Sequence, residues 1–145
     1  MTNQGQQLNK GKWQPYLGDE DSWSQMLNNI PNKGYLNDIS WGKHLSNMGW
    51  TCLRWEFSKL GSPKAYCQSF LKSYPFGLGV LWIPDGIIGD HRYISSLNQD
   101  LFRSLHLKYC YIRFRDSTVF NADDYIKILI GGWARPKTDF GAGMT

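Results

Sequence analysis

The residues best placed to do chemistry lie where an apolar run ends. Leu78-Gly79-Val80-Leu81-Trp82-Ile83 is followed by Pro84-Asp85-Gly86-Ile87-Ile88-Gly89-Asp90. An aspartate at the end of a strand, facing a cleft, could hold or deprotonate an amine, the work of a general base. Asp85 in Pro-Asp-Gly is equally an ordinary turn residue whose carboxylate accepts nearby backbone N–H groups. Gly86-Ile87-Ile88-Gly89 has the outline of a phosphate cradle. Two β-branched apolar residues fill it, however, and Asp85 and Asp90 flank it, so an anion would be repelled at close range; the stretch reads as a flexible turn. Arg113 and Arg115, two positions apart in one strand-like run, point to the same face. Their paired guanidinium groups suit a phosphate or carboxylate, although an exposed strand face explains them as well. Lys72 and Tyr74 form a similar same-face pair.

Other chemistries find less support. Cys52, Cys67 and Cys110 are three in number with no Cys-x-x-Cys, and His44, His91 and His106 lack the spacing of a metal-binding pair, so neither a zinc site nor a disulfide framework is expected. His44 and His106 read as surface or packing residues. The net charge of +4 and pI near 9.0 tolerate an anionic partner, but no dense Arg/Lys stripe or nucleic-acid motif is present. Thr138-Asp139-Phe140-Gly141-Ala142-Gly143 is a poor match to the pyrophosphate loop of an acetyl-CoA enzyme, since Thr stands where Arg or Gln belongs; no cofactor is expected. Free thiols suit a reducing compartment, the polar start MTNQGQQLNKGK lacks a signal-peptide core, and no apolar run approaches the ~20 residues of a membrane span. These features place the protein in the cytoplasm, with peripheral attachment at the inner membrane face left open.

The elements that must position these groups follow from periodicity. The 145 residues are one domain's worth, with 41% hydrophobic and 15% aromatic residues to build a core. Residues 1–18, rich in Gln, Asn, Gly and Lys, read as disordered or loosely attached, and order is expected from 19 to 145. Asp19-Glu20-Asp21-Ser22 starts a helix with the stripe Trp23, Leu27, Ile30, stopped by Pro31. A second helix from Asp38 carries Trp41, Leu45 and Met48 and ends at Gly49. Alternation in 51–58 and 65–74, with Ser62-Pro63-Lys64 as the turn, followed by Pro75-Phe76-Gly77 and Leu78–Ile83, gives a three-stranded antiparallel meander. Ile94, Leu97, Leu101 and Leu105 mark a third helix, Tyr109–Phe114 a strand, and Asn121 caps a fourth helix carrying Tyr125, Ile128 and Leu129. The fold class is α/β: a mixed sheet with an antiparallel meander flanked by helices.

Three segments in order resemble the FemAB/FemX family of peptidoglycan-bridge aminoacyltransferases, built from GNAT-like acyltransferase domains. They are Tyr35-Leu36-Asn37-Asp38-Ile39-Ser40-Trp41-Gly42 leading to Gly49-Trp50, Leu78–Ile83 ending in Pro84-Asp85-Gly86, and Gly131-Gly132-Trp133-Ala134-Arg135-Pro136 running toward Gly143-Met144-Thr145. The resemblance covers roughly 23–145 and only the N-terminal part of one GNAT-like domain, so the sheet is expected to be incomplete and the chain to be a fragment, or to need an oligomeric partner. It implies transfer of an aminoacyl group from aminoacyl-tRNA, or from another acyl donor, to an amine of a cell-wall or surface-polysaccharide precursor. It also implies substrate-binding roles for Lys43, near the family's helix lysine, and for Trp82, Pro84 and Gly86 at the strand end. Asn37-Asp38 replaces the family's Gln-Ser, and Asp85 stands where the family carries a basic residue, so a substrate phosphate would meet a negative charge there. The alternative is a truncated, non-catalytic GNAT-like binding or interaction module.

Overall fold

The computed structural model describes residues 11–30 and 35–114. The fourth helix, the C-terminal motif, Pro31 and Arg115 lie outside the described residues. Among the described residues six strands form one sheet, in the order β1 (Lys12–Pro15), β2 (Thr51–Lys59), β3 (Ser62–Tyr74), β4 (Leu78–Ile83) and β6 (Tyr109–Phe114), with β5 (Ile87–Gly89) also on β3.

Order begins earlier than the composition implies. β1 (Lys12–Pro15) pairs antiparallel with β2 (Thr51–Lys59). Trp13 is 2% exposed, and its indole N–H donates to the Tyr93 carbonyl at 2.9 Å while its backbone N–H donates to Asp100 Oδ2 at 3.1 Å. The loosely attached segment expected over 1–18 is thus corrected for 12–15. One buried tryptophan and a backbone ladder hold four residues whose polar neighbours conceal them.

Helix α1 (Glu20–Asn29) starts as expected, with Asp19 accepting the Ser22 N–H at 2.8 Å and Glu20 and Asp21 at the positive end of the helix dipole. Trp23 and Leu27 are buried. A 3-10 turn (Tyr35–Asn37) leads into α2 (Ile39–Asn47). Met48 does not continue the apolar stripe: it is the C-cap and is 60% exposed. Gly49 follows at φ +92°, the left-handed geometry of a helix-ending glycine.

The meander of β2, β3 (Ser62–Tyr74) and β4 (Leu78–Ile83) is antiparallel as expected. Its first turn is not Ser62-Pro63-Lys64. Leu60 and Gly61 make the turn, at φ +54° and +75°, closed by Lys59 opposite Ser62. Two central residues at positive φ match the right-handed twist of a two-residue hairpin. Pro63 is tolerated inside β3 because the register shifts there, from Phe57–Ala65 to Ser58–Pro63, a bulge that relieves the missing N–H.

β3 is long enough for two partners in succession. β4 pairs with its later half, and β5 (Ile87–Gly89) pairs with Ala65–Cys67. Trp82 faces Phe70 and Ile87 faces Cys67, so residues 83–86 stand opposite only Gln68 and Ser69. The chain therefore bulges outward at Pro84-Asp85-Gly86. This corrects the flexible turn read over 86–89: Ile87 and Ile88 are both buried in a strand, on opposite faces of the sheet.

After a 3-10 segment (His91–Ser96), α3 (Leu97–Leu105) carries the chain to β6 (Tyr109–Phe114), parallel to β4. Ile94, Leu97 and Leu101 pack with Trp13, Trp55, Phe57, Leu81, Ile83 and Phe114 on one face of the sheet. On the other face α1 packs Trp23 and Leu27 against Ile88 and Tyr66. That second face carries the site.

Candidate functional site

Register brings most of the expected site residues together. On the α1/α2 face, three rows cross β3, β4 and β6: Tyr74–Leu78–Tyr109, Lys72–Val80–Tyr111 and Phe70–Trp82–Arg113. Same-face neighbours lie about 7 Å apart along a strand, with strands about 4.8 Å apart. Phe70 is fully buried, so the platform, on the order of 10 Å by 14 Å across its three rows, is open everywhere but at that corner, an area that suits one or two sugar rings or a nucleobase. Lys72, Tyr74, Trp82 and Arg113 were expected from sequence. Tyr109 and Tyr111, exposed here, were not; Trp50 reads from sequence as core or cleft wall. Tyr109 and Tyr111 were legible as alternate positions in Tyr109–Phe114, the face that also carries Arg113.

Trp50, just before β2, forms the wall on the α2 side. Its ring centroid lies 5.9 Å from that of Trp82, and Lys72 Nζ lies 4.5 Å above it. A cation held over an indole keeps its charge while its position is restricted. Lys72 and Arg113 make no ion pair among the described residues, and none of the nine platform residues is acidic. The surface therefore offers flat stacking area with two cations that no described acid pairs, suited to a ring that carries phosphate or carboxylate.

The Pro84-Asp85-Gly86 bulge adjoins the Trp82 row but is not part of it. Asp85 is 7% exposed, and its Oδ2 accepts the Leu36 N–H at 3.1 Å while its carbonyl accepts from Asn37 Nδ2 at 3.3 Å. Gln68, facing the bulge, donates to the Leu36 and Asp38 carbonyls at 3.1 and 3.2 Å and accepts from Arg54 Nε at 2.9 Å. Trp23 donates to the Asn37 carbonyl at 2.8 Å. The Tyr35–Asn37 turn, and with it the entrance of α2, is thereby gripped by β3, by the bulge and by α1. Gly42 allows the close approach: a Cβ there would stand 3.0 Å from Arg54 Nη2 and 3.2 Å from Cys52 Sγ. Two buried polar atoms at this entrance, Asn37 Oδ1 and Trp41 Nε1, have no hydrogen-bond partner among the described residues.

Lys43 stands apart from the platform rows, its ammonium 3.4 Å from Glu20 and both side chains largely exposed. Pro84 and Gly86 are buried within the bulge. The thiols offer no ready nucleophile: burial pushes Cys52 up, with Arg54 opposing, and burial likewise pushes up Cys110, so both stay protonated near neutral pH.

No protein-family model matches the sequence, and no curated protein matches it in sequence. A solved structure does: the crystal structure of FemX superimposes with a TM-score of 0.57 at 16% identity, over 80% of this chain. The fold is therefore the expected one, a GNAT-like mixed sheet with an antiparallel meander flanked by helices, shared with FemX. The chain spans 30% of the FemX chain.

Proposed function

We propose that this chain provides part of a Fem-type N-acyl or aminoacyl transferase, acting on an amine of a cell-wall or surface-polysaccharide precursor. The observation that carries the reading is the FemX-like fold, arranged so that two segments that resemble motifs of that family, 35–42 and 78–86, are bound to each other through Asp85, Leu36 and Asn37, while Gln68 ties the first of them to β3. Acyl transfer of this kind needs a neutral amine, donors for the developing oxyanion and a surface that aligns two substrates. The platform serves the last of these. Trp82, Trp50 and Tyr111 stack against a ring of the precursor, and Lys72 and Arg113 hold its phosphate or carboxylate. Asp85 serves as a positioning residue, since its carboxylate is committed to the Leu36 amide at the entrance of α2. The acyl donor is aminoacyl-tRNA or another activated acyl group, and no cofactor takes part.

The test is an equilibrium titration, by tryptophan fluorescence, with a nucleotide-linked cell-wall precursor, together with a transfer assay using labelled aminoacyl-tRNA. Saturable binding that is lost in Lys72→Gln/Arg113→Gln, with label transferred to the precursor amine, supports the reading. Neither binding nor transfer overturns it. Binding without transfer favours the second reading, a non-catalytic binding module, which the 30% coverage of FemX keeps in play.

A further inference from the structure

Among the described residues, one end of the molecule combines exposed apolar groups with positive charge that no described acid opposes. The β3–β4 turn, Pro75–Gly77, projects there with Phe76 90% exposed, held at φ +67°. A phenylalanine gains nothing from full exposure, and a non-glycine residue in the left-handed region is uncommon. The turn is braced against the loop before β6, where Lys108 N–H donates to the Gly77 carbonyl at 2.8 Å. That contact sets Tyr109, 63% exposed, and Lys108, whose ammonium lies 5.8 Å from the Tyr109 ring, beside Phe76. Leu78, 42% exposed, begins β4 at the same end, and the last turn of α3 brings Phe102 and Arg103. No acidic residue occurs in 44–52, 71–82 or 101–113, the stretches that build this end. Every acid of the described residues lies elsewhere in the chain.

We infer that this end is a peripheral docking surface for an anionic lipid bilayer, with Phe76 and Tyr109 entering the headgroup region and Arg103 and Lys108 meeting lipid phosphates. Aromatic side chains favour the membrane interface because a ring can bury while a polar edge stays hydrated. Cations beside them add attraction that depends on anionic lipid and is screened by salt. Among the described residues no helix is long and apolar enough to cross a membrane, and this patch would act by lying on the surface of the bilayer. The platform opens on the same edge through its Tyr74–Leu78–Tyr109 row. Docking would therefore bring it to the membrane surface, although the inference does not require the platform to bind a precursor.

The test is co-sedimentation of the full chain with vesicles of phosphatidylcholine alone or with about one third phosphatidylglycerol. Binding is expected to the anionic vesicles only and to fall as salt is raised. Arg103→Gln/Lys108→Gln should weaken it about 25-fold, at about fivefold per cation. Phe76→Gly should weaken it about tenfold. Glycine accepts the φ of +67° without strain, so a melting temperature equal to or above that of the parent shows that lost binding is not lost folding. Equal partition to both vesicle types, no partition, or unaltered partition of both variants overturns the proposal. So does a concentration-dependent dimer in sedimentation velocity that Phe76→Gly abolishes, which would assign the patch to a second copy of the chain.

Discussion

Replacing Asp85 separates two roles that the same residue could play. In Asp85→Ala the Leu36 N–H loses a carboxylate partner 3.1 Å away, at a site where Asp85 is 7% exposed. A buried donor left unmade costs about 1–3 kcal/mol, and each kcal/mol lowers the melting temperature of a domain this size by about 3 °C. The expected fall is therefore about 3–9 °C. Asp85→Asn keeps an oxygen able to accept the same N–H and loses the charge assistance at that bond, so the change at this contact should cost about 1 kcal/mol. A positioning residue predicts large loss of stability in the alanine variant and near-parental stability and turnover in the asparagine variant. A general base predicts the reverse, with Asp85→Asn stable but slowed about 100-fold or more. Thermal melts followed by near-ultraviolet circular dichroism, paired with the transfer assay, distinguish them. An alanine variant that melts with the parent, beside an inactive asparagine variant, would refute the positioning role.

Three other outcomes are expected. Leu60→Asn puts a residue suited to the left-handed region before Gly61, and should raise the urea midpoint by the equivalent of about 0.5–1 kcal/mol; a lower midpoint would mean that Leu60 packs in a way its exposed position does not suggest. Trp13→Ala should cost about 3–5 kcal/mol, because it empties a core position and leaves the Tyr93 carbonyl without its indole donor, and a loss under about 1 kcal/mol would return β1 to the periphery. Cys52 and Cys110 have thiols raised by burial, so alkylation should be slow at pH 7 and accelerate through the alkaline range. The same shift has a sign for stability: its contribution is intact below the unfolded thiol value of about 8.5 and is lost as pH rises through the higher folded values. Rapid alkylation of folded protein at pH 7 would contradict both.

Much of this architecture is written in local pattern. The Asp19 cap, the Leu97–Leu101 stripe, the alternation of β2 and the strand composition of β4 and β6 each depend on neighbours a few positions away, and the structure keeps them. What was illegible depends on distant pairing. β1 is held by Trp13 reaching Tyr93 and Asp100, about which the polar N-terminal composition says nothing. Pro63 reads as a turn until the bulge opposite Ser58 is known. The two glycines around Ile87-Ile88 read as a turn until β3 is seen to be long enough to receive a second partner. The site divides the same way. Lys72, Tyr74, Trp82 and Arg113 were each recognisable by type and face, but only the registers of β3, β4 and β6 set them in three rows. Arg54 and Gln68, which help fix the entrance of α2, gave no signal in sequence because their partners lie 14 to 32 positions away; Asn37 was marked only by the family resemblance, its bond to Asp85 spanning 48 positions.

The platform is the centre of the account, and its most direct test is the affinity of the parent chain and of Lys72→Gln/Arg113→Gln for a nucleotide-linked cell-wall precursor, measured by quenching of tryptophan fluorescence. The account predicts saturable quenching in the parent, weakened about 100-fold in the double variant, as expected for loss of two charge-assisted contacts at about 1.5 kcal/mol each. Equal affinity in both proteins, or no quenching in the parent, would contradict it.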